Sequence, residues 1–327
     1  MQGVEMARSR REDSGGEHPG GVHLPVLPVQ VVQLLGGSAG SELEGWLVDA
    51  TLGAGGHAAL CLNAFPRIRL LGVDQDPEIL RHACKALRPF GSRVRIRRGR
   101  LSSIGRMLEE EGASRVAGWL LDLGASSLQL ESAERGFSFR ADGPLDMRMD
   151  PDRQRTAADI VNTWDESDLA DLFYYEGGEA RSRRIARAIV EARRRAPFLR
   201  TGALADVIAR AAGRQSGTGA RIHPATKVFQ ALRRAVNEEG EELLAGLAQA
   251  EQWLVDGGRL VAISFHSGED GAVKRFLVQG AAAGRWRVLT KKPIRAAREE
   301  LSTNRRARSA SLRAAERTRT AGRGHWE

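Results

Sequence analysis

The chain has 327 residues, enough for one large domain or two ordinary ones, and a hydrophobic content of 42% can fill a sizeable core. Lys and Arg number 50 against 41 Asp and Glu, and the net charge of +9 suits a polyanionic partner. Only Cys61 and Cys84 occur, which excludes a disulfide framework and a cysteine zinc set and fits a reducing compartment; no apolar run approaches the ~18 residues of a membrane span.

Residues 1–22 are polar and mixed in charge, and read as a disordered tail. Glu5, Glu12, Asp13 and Glu17 argue against an Arg-rich, acid-poor transit peptide. The expected location is therefore the cytoplasm, with the mitochondrial matrix as the alternative. Three short apolar runs, residues 46–50, 70–73 and 119–121, have the character of buried parallel strands. After the second, Asp76 as a cap and Pro77 as first helical residue open a helix to Leu87; residues 102–110 form another. A further strand, residues 259–265, follows the stop signal Gly257-Gly258. Strands alternating with helices at this spacing predict a doubly wound α/β sheet.

The middle of the chain reads differently. From Thr163 to about residue 212 the pattern is helical, with Leu169, Leu172 and Phe173 on one face and Ile185, Ile189 and Ala192 on another. Thr201 is placed to cap a helix carrying Leu204, Val207 and Ile208. Residues 137–220 are accordingly expected to form an all-helical insertion between two parts of an α/β domain, residues 23–136 and 221–317. The second part begins through Pro224 into an amphipathic helix with Val228, Phe229, Leu232 and Val236. Residues 318–327 read as a second disordered tail.

Val48-Asp49-Ala50-Thr51-Leu52-Gly53-Ala54-Gly55-Gly56-His57 lies between the first strand and a helix. Glycines there let the backbone turn sharply and approach a ligand, and the helix N-terminus offers N–H groups to an anion. A tight turn is the plain alternative. Asp74 ends the second strand, where an acidic residue accepts hydrogen bonds from both hydroxyls of an adenosine ribose. That geometry serves NAD and S-adenosylmethionine alike. The glycine spacing is not G-x-G-x-x-G, and no Lys-Ser/Thr follows as in a P-loop, which favours S-adenosylmethionine.

The stretch from Glu134 to Asp150 has neither period, and a long irregular segment in a compact chain is usually functional or disordered. Its two Phe and two Met argue against disorder. Asp122-Leu123-Gly124-Ala125-Ser126-Ser127, then Glu134-Arg135-Gly136-Phe137-Ser138-Phe139, then Gly143-Pro144-Leu145-Asp146-Met147-Arg148-Met149 resemble the RsmH (MraW) family. That family comprises class I (Rossmann-like) methyltransferases acting on N4 of a cytosine in small-subunit ribosomal RNA. The resemblance covers roughly residues 23–317 in ordered blocks, beginning with His23-Leu24-Pro25-Val26-Leu27. It implies S-adenosylmethionine as cofactor, and as substrate a decoding-centre (P-site) cytosine in naked RNA or an assembled small subunit. The chain would act as a monomer or homodimer.

By resemblance, Gly55, Gly56 and His57 match the family's Gly-Gly-His, Asp74 its ribose-binding Asp, Asp122 its cofactor-contacting Asp, and Gln129 its Gln. With Gly53 they make the expected cofactor set. Leu101 completes it, standing where the family commonly has Phe; Leu128 stands where it often has Pro. For His57 the plain alternative is a helix-start residue that caps.

A cytosine N4 amine is a poor nucleophile, because its lone pair is delocalised into the ring. The protein must supply alignment and acceptors for the amine hydrogens. Asp122, at the end of the strand over residues 119–121, is one candidate. Ser126 and Ser127 can bond the base or cap a turn. The second constellation, Ser264-Phe265-His266-Ser267-Gly268-Glu269-Asp270, resembles the family's Ser-Phe-His-Ser-x-Glu-Asp, with Gly268 where Leu is usual. His266 with Glu269 or Asp270 is a candidate acid–base or RNA-positioning pair. Methyl transfer needs no metal, and none is expected.

Arg181, Arg183, Arg184, Arg187, Arg193, Arg194 and Arg195 lie on one predicted helix and its end. Such clusters suit phosphate contact, with a solvated basic face as the rival reading. The resemblance extends through residues 184–190, 223–227 and 229–233 and favours the RNA reading of the cluster; Arg184, Arg187, Arg193, Arg194, Arg195, Lys227 and Arg233 are the expected RNA contacts. A C-terminal block, Asn304 and Arg306-Ala307-Arg308-Ser309 through Leu312-Arg313, also matches, with Arg305 replacing the usual Pro. A non-catalytic RNA-binding assembly factor on the same fold is the alternative; a nicotinamide oxidoreductase is disfavoured by the glycine spacing.

Overall fold

The computed structural model describes residues 24–36, 43–213 and 223–318. Both expected tails lie outside the described residues, Thr318 apart. Seven strands form one sheet: β1 (Gly45–Asp49), β2 (Ile68–Asp74), β3 (Val94–Arg98), β4 (Val116–Asp122), β5 (Leu254–Ser264), β6 (Trp286–Val288) and β7 (Ser311–Arg317), in the order β3-β2-β1-β4-β5-β7-β6. The first five run parallel, and β7 is antiparallel to both β5 and β6. This is the class I methyltransferase arrangement. The order reverses between β1 and β4, so a crevice opens beyond their carboxyl ends.

Successive strand residues face opposite layers. Leu47, Leu70, Leu120 and Val261 pack under α1 (Pro28–Gly36), α2 (Gly56–Ala64) and α3 (Pro77–Leu87). Their neighbours Val48, Leu71, Leu121 and Leu260 pack with α4 (Ile104–Glu110). Burial on both faces explains why these strands read as continuous apolar runs. Strand β3 does not, because it is an edge strand of sequence Val-Arg-Ile-Arg-Arg. Its Arg95 and Arg97 reach Glu111 at 3.1 and 2.7 Å instead of entering a core.

Asp76 caps α3, as expected, accepting from the Glu78 N–H at 2.9 Å. Strand β5 starts at Leu254, before the Gly257-Gly258 pair, and the pair falls where its register against β4 shifts. Gly257, at φ 81°, thus marks a bulge within the strand, not its beginning.

Between β4 and β5 the chain runs through α5 (Ser127–Glu131), the irregular stretch, then α6 (Ala157–Thr163), α7 (Glu166–Asp171), a π-helical turn Leu172–Glu176, α8 (Ser182–Arg193) and α9 (Thr201–Ala212). Helices α10 (Ala225–Asn237) and α11 (Glu239–Trp253) lead back to the sheet. Leu169, Phe173, Ile185, Ile189, Leu204 and Ile208 are buried in a core of the lobe's own. Phe137, Leu145, Met147 and Met149 join that core, so the irregular stretch is a packed strap. Val228, Phe229, Leu232 and Val236 join it too. Helix α10 therefore packs with the lobe, beyond the boundary drawn at residue 220. Thr201 is the first residue of α9 and does not cap it; its hydroxyl accepts from the Gly143 N–H at 3.0 Å and pins the strap.

Candidate active site

Strands β1, β2 and β4 end in Asp49, Asp74 and Asp122. Three adjacent parallel strands bring the three carboxyl groups to one edge of the sheet. The loop after β1 folds over them. Gly53 and Gly55 take φ 53° and 87°, a region that favours glycine, and Gly55 stands before α2 with no side-chain cap. The first N–H groups of α2 are thus left for an anion. Asp74 Oδ2 accepts from the Gly53 N–H at 2.9 Å and Oδ1 from the Asp76 N–H at 3.0 Å, so this carboxyl holds the glycine loop against β2. Thr51 Oγ1 accepts from the Asp122 N–H at 2.6 Å and ties the loop to β4.

A cavity opens here, and Gly53, Gly56, His57, Asp74, Leu101 and Asp122 line it. Gln129 and Ser126 also reach it. Gly55 does not; it packs toward Leu87, which lies 3.1 Å from where its Cβ would stand. Leu101 packs against Gly246 of α11 in the same way, at 3.1 Å.

His57 is buried and caps nothing, contrary to the plain expectation. Its Nε2 lies 3.7 Å from Asp122 Oδ2. Among the described residues neither ring nitrogen has a hydrogen-bond partner, and Asp122 Oδ1 has none either. Burial pushes the His57 pKa down against the pull of Asp122. Burial pushes Asp122 up, against the pull of His57 and Arg306. Burial also pushes Asp49 up to about 8, with Asp122 adding to it. Asp74 rises to about 6 through burial, moderated by the N–H groups of Asp76 and Gly53.

Asp49 gives a stability test. Its folded pKa of about 8 stands above the unfolded 3.8, so the native state holds a proton that the unfolded state has lost. Stability therefore falls as pH rises from about 4 to 8, by about 1.4 kcal/mol per pH unit at most. Asp49→Asn should flatten that decline and raise the melting temperature at pH 7.5. Chemical denaturation at pH 5 and 7.5 checks it; the same pH slope in both proteins would contradict it.

Two candidate catalytic residues cap helices. Ser126 caps α5: its hydroxyl accepts from the Gln129 N–H at 3.2 Å, and Gln129 Oε1 accepts from the Ser126 N–H at 2.9 Å. The Gln129 amide then donates to the fully buried Asp76 at 2.8 Å. Gln129 thus braces the crevice wall that it also lines. Arg135 donates to the same Asp76 oxygen at 2.8 Å and to the Met149 carbonyl at 3.1 Å, which ties the strap to α3. His266 caps α12 (Ser267–Ala282), with Nδ1 accepting from the Glu269 N–H at 3.3 Å, and it does not line the cavity. Glu269 does, with its Oε1 3.0 Å from His266 Nε2. Asp270 is turned away, paired with Arg313 at 2.7 Å.

The basic set divides as well. Arg193 donates to the Val161 and Trp164 carbonyls at 2.8 and 2.7 Å and closes the end of α6. Arg233 forms a two-bond pair with Glu239 at 2.7 and 2.8 Å and is largely buried. Lys227 donates to the Gly178 carbonyl at 2.8 Å. These three hold the lobe together. Arg187 lies 3.5 Å from Glu166 on the surface. The side chains of Arg184, Arg194 and Arg195 are exposed, with no hydrogen bond or ion pair among the described residues.

Two further wall residues escape a reading from sequence. Asn237 accepts from the Met149 N–H and donates to the Met147 carbonyl, each at 2.8 Å, and fixes the strap to the crevice. Arg306 enters from the C-terminal segment, 5.1 Å from the Phe265 ring centre. The matched C-terminal block contains Arg306, yet nothing local in it signals a crevice wall.

The MraW methylase family model matches residues 21–318. A ribosomal RNA small subunit methyltransferase H from Methylobacterium sp. is 44% identical, over 91% of this chain and 92% of its own length. Proteins of the same name from Cyanothece sp. and Synechococcus elongatus are 48% and 46% identical, over 90% of this chain and 95% and 94% of theirs.

Proposed function

We propose that this chain, which belongs to the MraW methylase family, transfers a methyl group from S-adenosylmethionine to the N4 amine of a decoding-centre cytosine in small-subunit ribosomal RNA. One observation carries the reading: the buried, unpartnered polar atoms of His57 and Asp122 face a cavity that Asp74 and the glycine loop share. Each such atom costs about 1–3 kcal/mol unless a ligand partners it. A non-catalytic assembly factor on this fold would have no use for them.

The donor set fits the cofactor. The uncapped start of α2 suits a carboxylate, Asp74 suits the ribose hydroxyls, and Leu101, backed by Gly246, offers adenine an apolar face. When bound, S-adenosylmethionine supplies an electrophilic methyl carbon on a good leaving group. The protein's own residues do the rest. Asp122 Oδ1 accepts an N–H of the target amine and so turns the nitrogen lone pair toward the methyl carbon. With the cofactor bound, Asp122 would take that proton as the methyl leaves sulfur, which departs as a neutral thioether; burial makes this carboxylate a better base than an ordinary one. His57, with Nε2 3.7 Å from Asp122 Oδ2, flanks that carboxyl in the cavity wall.

Residues 137–220, extended by α10, serve in this reading as the substrate-recognition lobe. Arg184, Arg194 and Arg195 are its free phosphate ligands, with Arg187 beside them, while Arg193, Lys227 and Arg233 support the scaffold. Mass mapping of methylated cytidines in small-subunit rRNA, from cells with and without this protein, is the test. An N4-methylated cytidine should disappear in its absence; an identical map in both would end the reading.

A further inference from the structure

The lobe has a second, open hollow, lined among others by Asp171, Tyr174, Tyr175, Arg183 and Arg184. Its wall is the π-helical turn Leu172–Glu176 and the start of α8. That turn buries Leu172 and Phe173 in the lobe core and leaves Tyr174 and Tyr175 55% and 74% exposed. The two rings meet edge to face at 5.1 Å. Core packing gives no reason for two adjacent aromatic rings in solvent, and π-helical turns occur frequently at functional sites.

The turn is held firmly. The Glu179 and Gly178 N–H groups donate to the Phe173 and Tyr174 carbonyls at 2.9 and 3.0 Å. From α10, Arg234 donates to the Glu176 carbonyl at 2.6 Å and pairs with its carboxylate at 2.7 Å. The Arg183 and Arg184 side chains are exposed and make no hydrogen bond or ion pair among the described residues. Aromatic faces beside free guanidinium groups are what a single strand needs: bases stack on the rings and phosphates meet the arginines. Asp171 repels phosphate on its side of the hollow and leaves the arginine side for the backbone.

Helix α10 links the turn to the crevice wall, since its Arg234 holds Glu176 at the end of the turn. Asn237, on the crevice wall, follows Arg234 on α10 by three residues, about 4.5 Å along the axis. The geometry points to a stacking platform for unpaired nucleotides near the target cytosine, with bases on Tyr174 and Tyr175 and phosphates on Arg183 and Arg184. This deepens the reading of the chain as an RNA methyltransferase and rests on it.

The test is binding of a short single-stranded RNA carrying a fluorescent purine analogue, with a matching duplex as control. Tyr174→Ala/Tyr175→Ala should raise Kd for the single strand roughly tenfold or more and remove the quenching of the analogue, at an unchanged salt slope. Tyr174→Phe/Tyr175→Phe should bind like the unaltered protein, because a phenyl face stacks as well. Arg183→Gln/Arg184→Gln should lower the salt slope by about 1.4, from ~0.7 per single-strand phosphate contact. Duplex binding should ignore the tyrosines, since paired bases present no free face. The proposal is overturned if the unaltered protein does not bind the single strand, if the double alanine variant keeps its Kd, or if it loses duplex binding equally. Thermal melting and calorimetric cofactor binding on each variant report folding separately. The unaltered protein's methylation map decides the enzymatic reading on its own: an enzyme with normal methylation can lack the platform, and an RNA-stacking protein can lack the methylation.

Discussion

Asp74→Ala is expected to weaken S-adenosylmethionine binding by more than tenfold while the protein stays folded. The carboxyl does two jobs at once. Its oxygens already accept the Gly53 and Asp76 N–H groups, and its position at the end of β2 suits ribose hydroxyls. Hydrogen bonds to a charged acceptor are worth about 1.5–3 kcal/mol each, so losing one is already about tenfold in Kd. The alanine variant loses the ribose contact and also frees the glycine loop that shapes the site. Asp74→Asn keeps one acceptor oxygen and should fall between the two. Burial pushes the carboxyl pKa up to about 6, so cofactor affinity of the unaltered protein should decline as pH drops through that value and the acceptor is protonated. Isothermal calorimetry from pH 5 to 8 measures both effects. An unchanged Kd in the alanine variant would remove Asp74 from the site.

Much of this edge of the sheet is legible in the sequence, because its signals are local. The apolar runs of β1, β2 and β4, the glycine loop and the Asp76-Pro77 helix start are each written within about ten residues. The carboxyl ends of parallel strands then assemble Asp49, Asp74 and Asp122 without further instruction. Edge strand β3 is not legible as an apolar run, since its arginines find Glu111 rather than a core. Asn237 and Arg306 are not legible either. Their partners, Met149 and the Ala125 carbonyl, lie 88 and 181 residues away, and nothing near them in sequence records the contact. The arginine cluster shows a different limit. Residue type gives the charge but not where the guanidinium ends. Arg193 turns inward to two carbonyls while Arg194 and Arg195 stay in water. His266 and Ser126 show a similar ambiguity: both sit in motifs at this edge of the sheet, and each caps a helix, Ser126 while also lining the cavity.

Asp122→Ala should lose turnover far more than cofactor affinity. Asp122 Oδ1 is buried on the crevice wall without a partner among the described residues, whereas the oxygens of Asp74 are engaged by backbone. An acceptor left open beside the methyl donor's site serves the incoming amine. General-base assistance of this kind is worth about 10²- to 10⁴-fold, and single-turnover methylation at saturating cofactor should fall within that range. Asp122→Asn is the sharper variant. It keeps the size of the side chain and a hydrogen-bond acceptor for alignment, but it cannot take the proton. Its rate should therefore stay low even where cofactor and RNA bind normally. The pH profile adds a second readout. The raised Asp122 pKa places the rising limb of the unaltered enzyme's rate above the ordinary carboxylate range, because only the ionised form accepts the proton. That limb should vanish in Asp122→Asn. His57 supplies an internal control, since Asp122 is what opposes the downward push of burial on its ring. Removing the carboxylate should drop the His57 pKa further, as NMR titration of the imidazole would show. A normal single-turnover rate in Asp122→Asn, with the rising limb intact, would assign Asp122 to cofactor binding and leave the proton to another wall residue, of which Glu269 is the nearest in kind.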